Sequence, residues 1–262
     1  MKYTVLTLFP EITDTYFANS IMAKAINRGI IEYQVINIRD FANDKHKTCD
    51  DAPYGGGPGM LMLPEPLGLA LQAAGCQPLN LKQKTASLFK RVIYLSPSGR
   101  SFNQQLAYEL STEKELVLIC GRYEGIDQRI IDIYVDDEIS VGDYVLSSGE
   151  VAALAVIDAT YRLVDDVICA GSLTEESFSS GLLEYPQFTR PEIYDTIKVP
   201  EVLLSGHHEQ IREWRLEKRV EKTMRLRPDL IKYGREQGIF NKEINRVIER
   251  KVQAEGEINE RN

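Results

Sequence analysis

The spacing of apolar and polar residues changes several times along the chain, and each change predicts an element. Residues 3–8 alternate among β-forming types and end at Phe9-Pro10, which reads as a first strand. Ile12, Tyr16, Ile21, Ala25 and Ile26 then recur near helical spacing, so residues 12–27 read as one helix stopped by Gly29. Residues 32–38 read as a second strand, and strand, helix, strand predicts a βαβ unit with a parallel sheet. Residues 67–74 read as a short helix and 77–90 as a polar surface connection. The apolar runs 91–95 and 115–120 read as buried strands on either side of a helical stretch, 102–110. A short helix is expected over 126–133, a short strand over 138–141, and a buried or interface helix over the Ala-rich residues 150–161. Periodicity lapses at 164–182, where acidic residues, Ser and Gly predominate, and 184–200 holds three prolines and little regular pattern. From His208 a helical pattern returns, with Ile211, Trp214, Leu216, Val220 and Met224 on its apolar side, and Arg227-Pro228-Asp229 starts another helix. The division expected is an α/β domain over 1–163, a flexible linker over 164–182 and a helical domain over 183–262, with a frayed tail from 255.

Three predicted strands run into stretches of small residues. Residues 92–99 read V-I-Y-L-S-P-S-G, 116–125 read L-V-L-I-C-G-R-Y-E-G, and 135–150 read V-D-D-E-I-S-V-G-D-Y-V-L-S-S-G-E. Such residues let a ligand approach main-chain N–H and C=O groups. Three strands ending this way predict one crevice at the carboxyl edge of a parallel sheet, suited to an adenosyl cofactor. A separate run of glycines, 55–59, must be a loop with positive φ values. No Lys-Ser/Thr follows it, so it is not a phosphate-binding P-loop, and its spacing is not that of a dinucleotide fingerprint. It reads either as a mobile surface loop or as one that closes over substrate, with Asp50 and Asp51 as the carboxylates beside it. His46 is a lone histidine and reads as structural.

Composition narrows the class. The 262 residues are 43% hydrophobic and 27% charged, as in an ordinary globular protein. No run approaches a membrane span and the amino terminus carries no cleavable signal, so a cytoplasmic protein without a membrane partner is expected. The four cysteines are far apart, with no C-x-x-C pair, and fit reduced thiols. A net charge of −8 argues against nonspecific nucleic-acid binding by the whole chain. Residues 212–235, however, carry nine basic and four acidic side chains. That segment is either a phosphate-binding face or a solvated helix with pairs such as Glu213–Lys218 and Glu217–Lys222.

The strings P-Y-G-G-G-P-G-M (53–60), Y-L-S-P-S-G (94–99), L-I-C-G-R-Y-E-G-I-D (118–127), S-V-G-D-Y-V-L (140–146), Y-P-Q-F-T-R-P (185–191) and V-P-E-V-L-L-S-G (199–206) occur in the order seen in a known family. Over about residues 1–230 the chain resembles the bacterial tRNA (guanine-N1)-methyltransferases of the SPOUT group. The resemblance implies an α/β domain with a parallel sheet whose C-terminal part is tied in a deep trefoil knot, plus a small helical C-terminal domain. Physical reasoning alone would exclude a knot, because threaded chains are very rare. It further implies a homodimer with each active site at the subunit interface. The reaction implied is transfer of a methyl group from S-adenosylmethionine to N1 of guanosine 37 of tRNA. The helical domain would help hold the tRNA, which favours the phosphate-binding reading of the basic segment.

Methylation at guanine N1 needs a base for the weakly acidic N1–H and a cation or donors for charge developing on O6. By resemblance the cation maps onto Arg162, which would otherwise read as the cap of a buried helix. The base maps onto Glu176, where the family usually has Asp, with Glu175 as fallback. The longer stem requires a shifted linker or a different rotamer. Cofactor contacts carry over to Tyr94, Leu95, Ser96, Pro97 and Gly99, to Gly121, Tyr123, Glu124 and Gly125, and to Val141, Gly142, Asp143, Tyr144, Val145, Leu146, Ser148 and Gly149. Val141 stands for the more usual Ile. Ser148 stands for a Gly, which would cost about 1 kcal/mol or more if φ there is positive. Asp50 and Gly59 are expected near the target guanosine, and Arg212, Arg215, Lys218 and Arg219 at RNA phosphates. The family also implies dependence on Mg²⁺, although no dedicated metal cage is visible in the sequence. Two rivals are a nucleotide-dependent oxidoreductase, whose fingerprint is missing, and an RNA-binding module of the same fold with weak or lost catalysis, for which the change from Asp to Glu is the only hint.

Overall fold

The structure, a computed structural model, describes residues 1–82, 90–168, 176–178 and 180–259. The chain divides into two units, Met1–Ile168 and Cys169–Asn262.

The first unit is built on a five-stranded parallel sheet. Its strands are β1 (Lys2–Thr7), β2 (Glu32–Asn37), β5 (Arg91–Ser101), β6 (Glu115–Ile119) and β7 (Asp137–Ser140), in the order β2-β1-β6-β5-β7. Helices cover both faces, so strand side chains on both sides are buried and the central strands are apolar throughout. Leu116 and Leu118 of β6 point to one cluster with Tyr3, Val5, Ile93 and Ile139, whereas Val117 and Ile119 point to another with Leu6, Val92 and Tyr94. The first cluster is closed by α1 (Pro10–Phe17), α2 (Ser20–Asn27), α5 (Gln104–Ser111) and α7 (Gly149–Tyr161); the second by α3 (Pro64–Ala73) and α6 (Gln128–Tyr134). Short pieces complete this unit: β3 (Asp50–Asp51) pairs antiparallel with β4 (Leu61–Met62), and α4 spans Leu79–Lys82. The buried Tyr3 hydroxyl meets Thr160 Oγ1 at 2.9 Å and ties β1 to α7.

Two local expectations needed correction. Residues 12–27 form two helices, not one. Asn19 Nδ2 donates to the Thr15 carbonyl, ending α1, and Ser20 takes φ 61° before α2 continues. The strand expected over 91–95 does not end at Leu95. Leu95 and Arg100 both pair with Ile139, so residues 96–99 leave the sheet as an excursion and the strand then resumes. Gly99 closes that excursion, since a Cβ there would lie 2.4 Å from the Glu138 carbonyl carbon and Ile139 nitrogen. Part of the 77–90 connection, and Glu175 and Cys169, lie outside the described residues.

The second unit contains a two-stranded ribbon, β8 (Ile193–Tyr194) and β9 (Ile197–Lys198), in the stretch expected to be irregular. Helices α8 (Glu201–Leu204), α9 (His208–Leu226), α10 (Pro228–Glu236) and α11 (Lys242–Asn259) follow. Its core is Leu182, Val220, Phe240, Ile244, Val247 and Ile248. The charged side chains of α9 pair not only along the helix, as in Arg212–Glu209 and Lys218–Glu221, but also with a neighbouring helix. Arg212 meets Glu243 at 2.6 Å, Glu217 meets Arg250, and Glu221 meets Lys251, all between α9 and α11.

Two glycines in helices should respond oppositely to alanine. A Cβ at Gly234 would lie 2.2 Å from the buried Phe240 ring, whereas one at Gly68 meets only Ile130 Cδ1 at 3.5 Å. Gly234→Ala should destabilise the second unit by about 1–3 kcal/mol, read as a lower urea midpoint in the fluorescence of Trp214. Gly68→Ala should stabilise the first unit by about 0.5–1 kcal/mol, read by circular dichroism with the Trp214 transition unmoved.

Candidate active site

Strands β6, β5 and β7 are neighbours in the sheet, so the turns at their carboxyl ends converge. Between these turns and the start of α7 lies a cleft of about 290 Å³. The excursion within β5 contributes Ser96 and Pro97 to its wall, and the strand residues just before it contribute Tyr94 and Leu95. The turn after β6 contributes Gly121, Tyr123, Glu124 and Gly125, and the loop after β7 contributes Val141, Gly142, Tyr144, Val145, Leu146, Ser148 and Gly149. Two residues expected to contact a ligand are absent from the wall. Gly99 is packed on the β7 backbone instead, and Asp143 does not line the cleft. The wall also includes Ser147, one of the small residues expected to admit a ligand, and Ser98, Arg122, Ile139, Ser140 and Ala152, which were not expected there. Of the unexpected ones all but Ala152 sit inside strings quoted above, so proximity in sequence was their only signal.

The cleft depends on backbone meeting backbone. A Cβ on Gly149 would lie 2.7 Å from Gly121 N and 2.8 Å from Cys120 Cα, and Gly149 N donates to Gly121 O at 2.9 Å. Helix α7 can therefore start directly against the turn after β6 only because its first residue lacks a side chain. Gly121 is similarly crowded, its Cβ position lying 2.9 Å from the Tyr94 ring. Burial, followed by Glu138, pushes the Tyr94 phenol up and keeps it protonated. Ser148 caps α7 in an extended conformation, φ −164°, so the serine in place of a glycine carries no backbone strain.

The glycine-rich loop is fastened to this wall. Met62 N donates to Gly125 O at 3.0 Å, Glu124 N to Met60 O at 3.0 Å, and Asp127 N to Met62 O at 3.2 Å. Gly59, at φ 85°, leaves room for the Glu124 side chain, whose Cγ would be 2.4 Å from a Cβ. Asp50 reaches the Tyr123 phenol. Burial first, then that carboxylate, raises the phenol's pKa, with Arg39 opposing. Asp50 and Gly59 are thus brought to the second wall of the cleft.

Arg162 is the C-cap of α7. Thirteen residues at 1.5 Å each put it about 20 Å from the cleft end of that helix. Glu176 belongs to the second unit and is half-buried. Arg212 pairs with Glu209 at 2.9 Å and with Glu243, which raises its already high pKa. Lys218 pairs with Glu221 at 2.7 Å. Arg219 is turned inward, to Ser180 Oγ at 2.5 Å and Leu183 O at 3.3 Å, and Arg215 lies 4.6 Å over the Tyr185 ring. Among the described residues no three His, Cys, Asp or Glu side chains gather as a metal cage, and no helix is long and apolar enough to cross a membrane.

The contrast between Ser148 and Gly149 is testable by calorimetry with S-adenosylmethionine, the ligand implied by the resemblance. Ser148→Gly should leave affinity within about twofold. Gly149→Ala must separate α7 from the turn after β6, and a displacement near 1 Å should weaken binding by at least about tenfold.

Comparison with known proteins shows the family. Residues 1–233 match the family model described as tRNA (Guanine-1)-methyltransferase TrmD. A tRNA (guanine-N(1)-)-methyltransferase of Treponema denticola is 60% identical over 248 residues, covering 95% of this chain and 98% of that relative. One of Borreliella burgdorferi is 58% identical over 236 residues, 89% of this chain and 94% of the relative. One of Treponema pallidum is 55% identical over 248 residues, 95% of both. With the match running through every wall of the cleft, the chain belongs to the tRNA (guanine-1)-methyltransferase family.

Proposed function

We propose that the chain methylates N1 of guanosine 37 of tRNA, next to the anticodon, using S-adenosylmethionine, as a cytoplasmic enzyme. The single observation that carries this reading is the cleft at the ends of β6, β5 and β7. It offers main-chain groups, serine hydroxyls and apolar surface, with one carboxylate and one guanidinium, in a volume suited to a nucleoside. That set fits an uncharged adenosine joined to a zwitterionic amino acid. The end of the sheet where these turns converge is the part we take to be knotted.

S-adenosylmethionine, when bound, supplies an electrophilic methyl on a sulfonium, so no side-chain nucleophile is required. The protein's own work is then to place guanine, remove its N1 proton and offset negative charge on O6. We assign proton removal to the Glu176 carboxylate and charge stabilisation to the Arg162 guanidinium. Arg162 stands about 20 Å from the cleft along α7, too far to serve the cleft of its own unit. A second copy of the chain supplying Arg162 resolves this. Exposed apolar side chains at the cleft, Tyr144, Val145 (84% exposed) and Val151, suit such a contact. The helices after His208 are assigned to the tRNA, and Mg²⁺ to a role outside any all-protein cage.

Labelled S-adenosylmethionine incubated with transcripts carrying guanosine or adenosine at position 37 should label only the guanosine transcript; label in neither would remove the assignment. Glu176→Gln should lower turnover by about 10²- to 10⁴-fold with cofactor affinity retained, and Glu176→Asp should stay active. Arg162→Ala and Gly149→Ala should each be nearly inactive alone when S-adenosylmethionine is held at or below the wild-type Kd. Refolded together they should recover about a quarter of wild-type activity, because half the dimers are mixed and one site in each is intact.

A further inference from the structure

Glu150, the second residue of α7, is completely buried. A buried carboxylate is costly unless it is paired, and this one has a short list of neighbours. Its Oε1 accepts the Thr7 hydroxyl at 2.5 Å, and Thr7 Oγ1 in turn accepts the Phe9 N–H at 2.9 Å. Its Oε2 lies 3.3 Å from Arg122 Nε. Neither of these two atoms makes a hydrogen bond, so the contact is an ion pair whose angle is off line. The first turn of a helix favours a negative charge at Glu150 from the backbone side as well.

Arg122 is the other half of the circuit. It follows Gly121 in the turn after β6 and lines the cleft, with 21% of its side chain exposed. Its guanidinium carbon sits 4.3 Å over the Phe9 ring. The side chain is therefore held on its Nε edge by Glu150 and on one face by Phe9, while Thr7 fixes both of those partners. Among the described residues Arg122 donates no hydrogen bond, so the two terminal nitrogens keep their N–H groups for something else. A guanidinium immobilised in this way presents a planar fork matched to a carboxylate.

Charge complementarity identifies the group it meets. Of the described residues lining the cleft, Arg122 is the one Lys or Arg, and Glu124 the one Asp or Glu outside the buried circuit. S-adenosylmethionine carries a sulfonium and an ammonium, and its one anionic group is the α-carboxylate. We propose that Arg122 binds the α-carboxylate of the methyl donor and that Glu150 is the positioning residue that aims it. This rests on reading the cleft as the S-adenosylmethionine site.

Calorimetry with two neutral-sulfur ligands separates the two ideas. S-adenosylhomocysteine keeps the carboxylate, and 5′-methylthioadenosine lacks the amino-acid part. The paired variant Arg122→Met/Glu150→Gln removes the cation without leaving a buried charge unpaired. It should bind S-adenosylhomocysteine about 10- to 100-fold more weakly than wild type, yet bind 5′-methylthioadenosine within about threefold. Retained binding of the second ligand also shows that the cleft is folded. Glu150→Gln alone keeps the cation but loosens it, and should give an intermediate loss for S-adenosylhomocysteine only. Equal weakening of both ligands, or unchanged affinity for S-adenosylhomocysteine, would overturn the proposal. So would a loss confined to tRNA affinity, which would place a phosphate at Arg122. If the wild-type protein bound neither ligand, the assignment of the cleft itself would fail.

Discussion

The architecture of the cleft hangs on one contact, the approach of the first residue of α7 to the turn after β6. Gly149 and Gly121 touch through main-chain atoms, with a 2.9 Å hydrogen bond and no space for a side chain on Gly149. A helix that starts this close to a strand end points its free N–H groups and its dipole toward the same opening that the three turns surround. The Tyr94 ring closes over Gly121 for the same reason, and Glu150 becomes buried because it is the next residue in line. Enlarging that one position would separate groups that meet nowhere else.

The sheet assigns different work to its two ends. At the amino end of β5, Arg91 is bound by Asp137 at 2.6 Å, Glu109 at 2.6 Å and Glu113 at 3.1 Å, so several elements are clamped by charge. Those groups are partly exposed, and the clamp adds modest stability. At the carboxyl end the strands finish in small residues and leave main-chain groups unpaired by sheet or helix. Between the two ends both faces are closed by apolar packing, with Leu116, Val117, Leu118 and Ile119 all fully buried. The rigid middle lets the open end hold its shape.

Much of this could be read from the chain because it follows from local rules. Apolar runs ending in small residues predicted three strands feeding one crevice, and the three turn out to be neighbours in the sheet. Features that depend on distant partners could not be read. Arg122 looked like part of a glycine string until Glu150, 28 positions later, was found beside it. The inward turn of Arg219 depends on Ser180 and Leu183, and a charge count cannot see that. The ribbon at Ile193–Lys198 escaped notice because two residues per strand carry no period. The helix break at Ser20 was missed because the apolar positions stay in phase across it, while a side-chain bond from Asn19 stops the first helix.

The glycines in the cleft wall, among them Gly121, Gly125, Gly142 and Gly149, have a consequence for drug resistance. A compound that bonds to main chain at these positions is gripped by peptide groups, which every residue type possesses. Exchanging one side chain for another cannot delete such a grip; it can only shift the backbone. At Gly99 and Gly149 a shift would collide with a neighbouring chain segment. Escape from such a compound by point mutation then falls to the wall positions that carry side chains, among them Tyr94, Arg122 and Glu124.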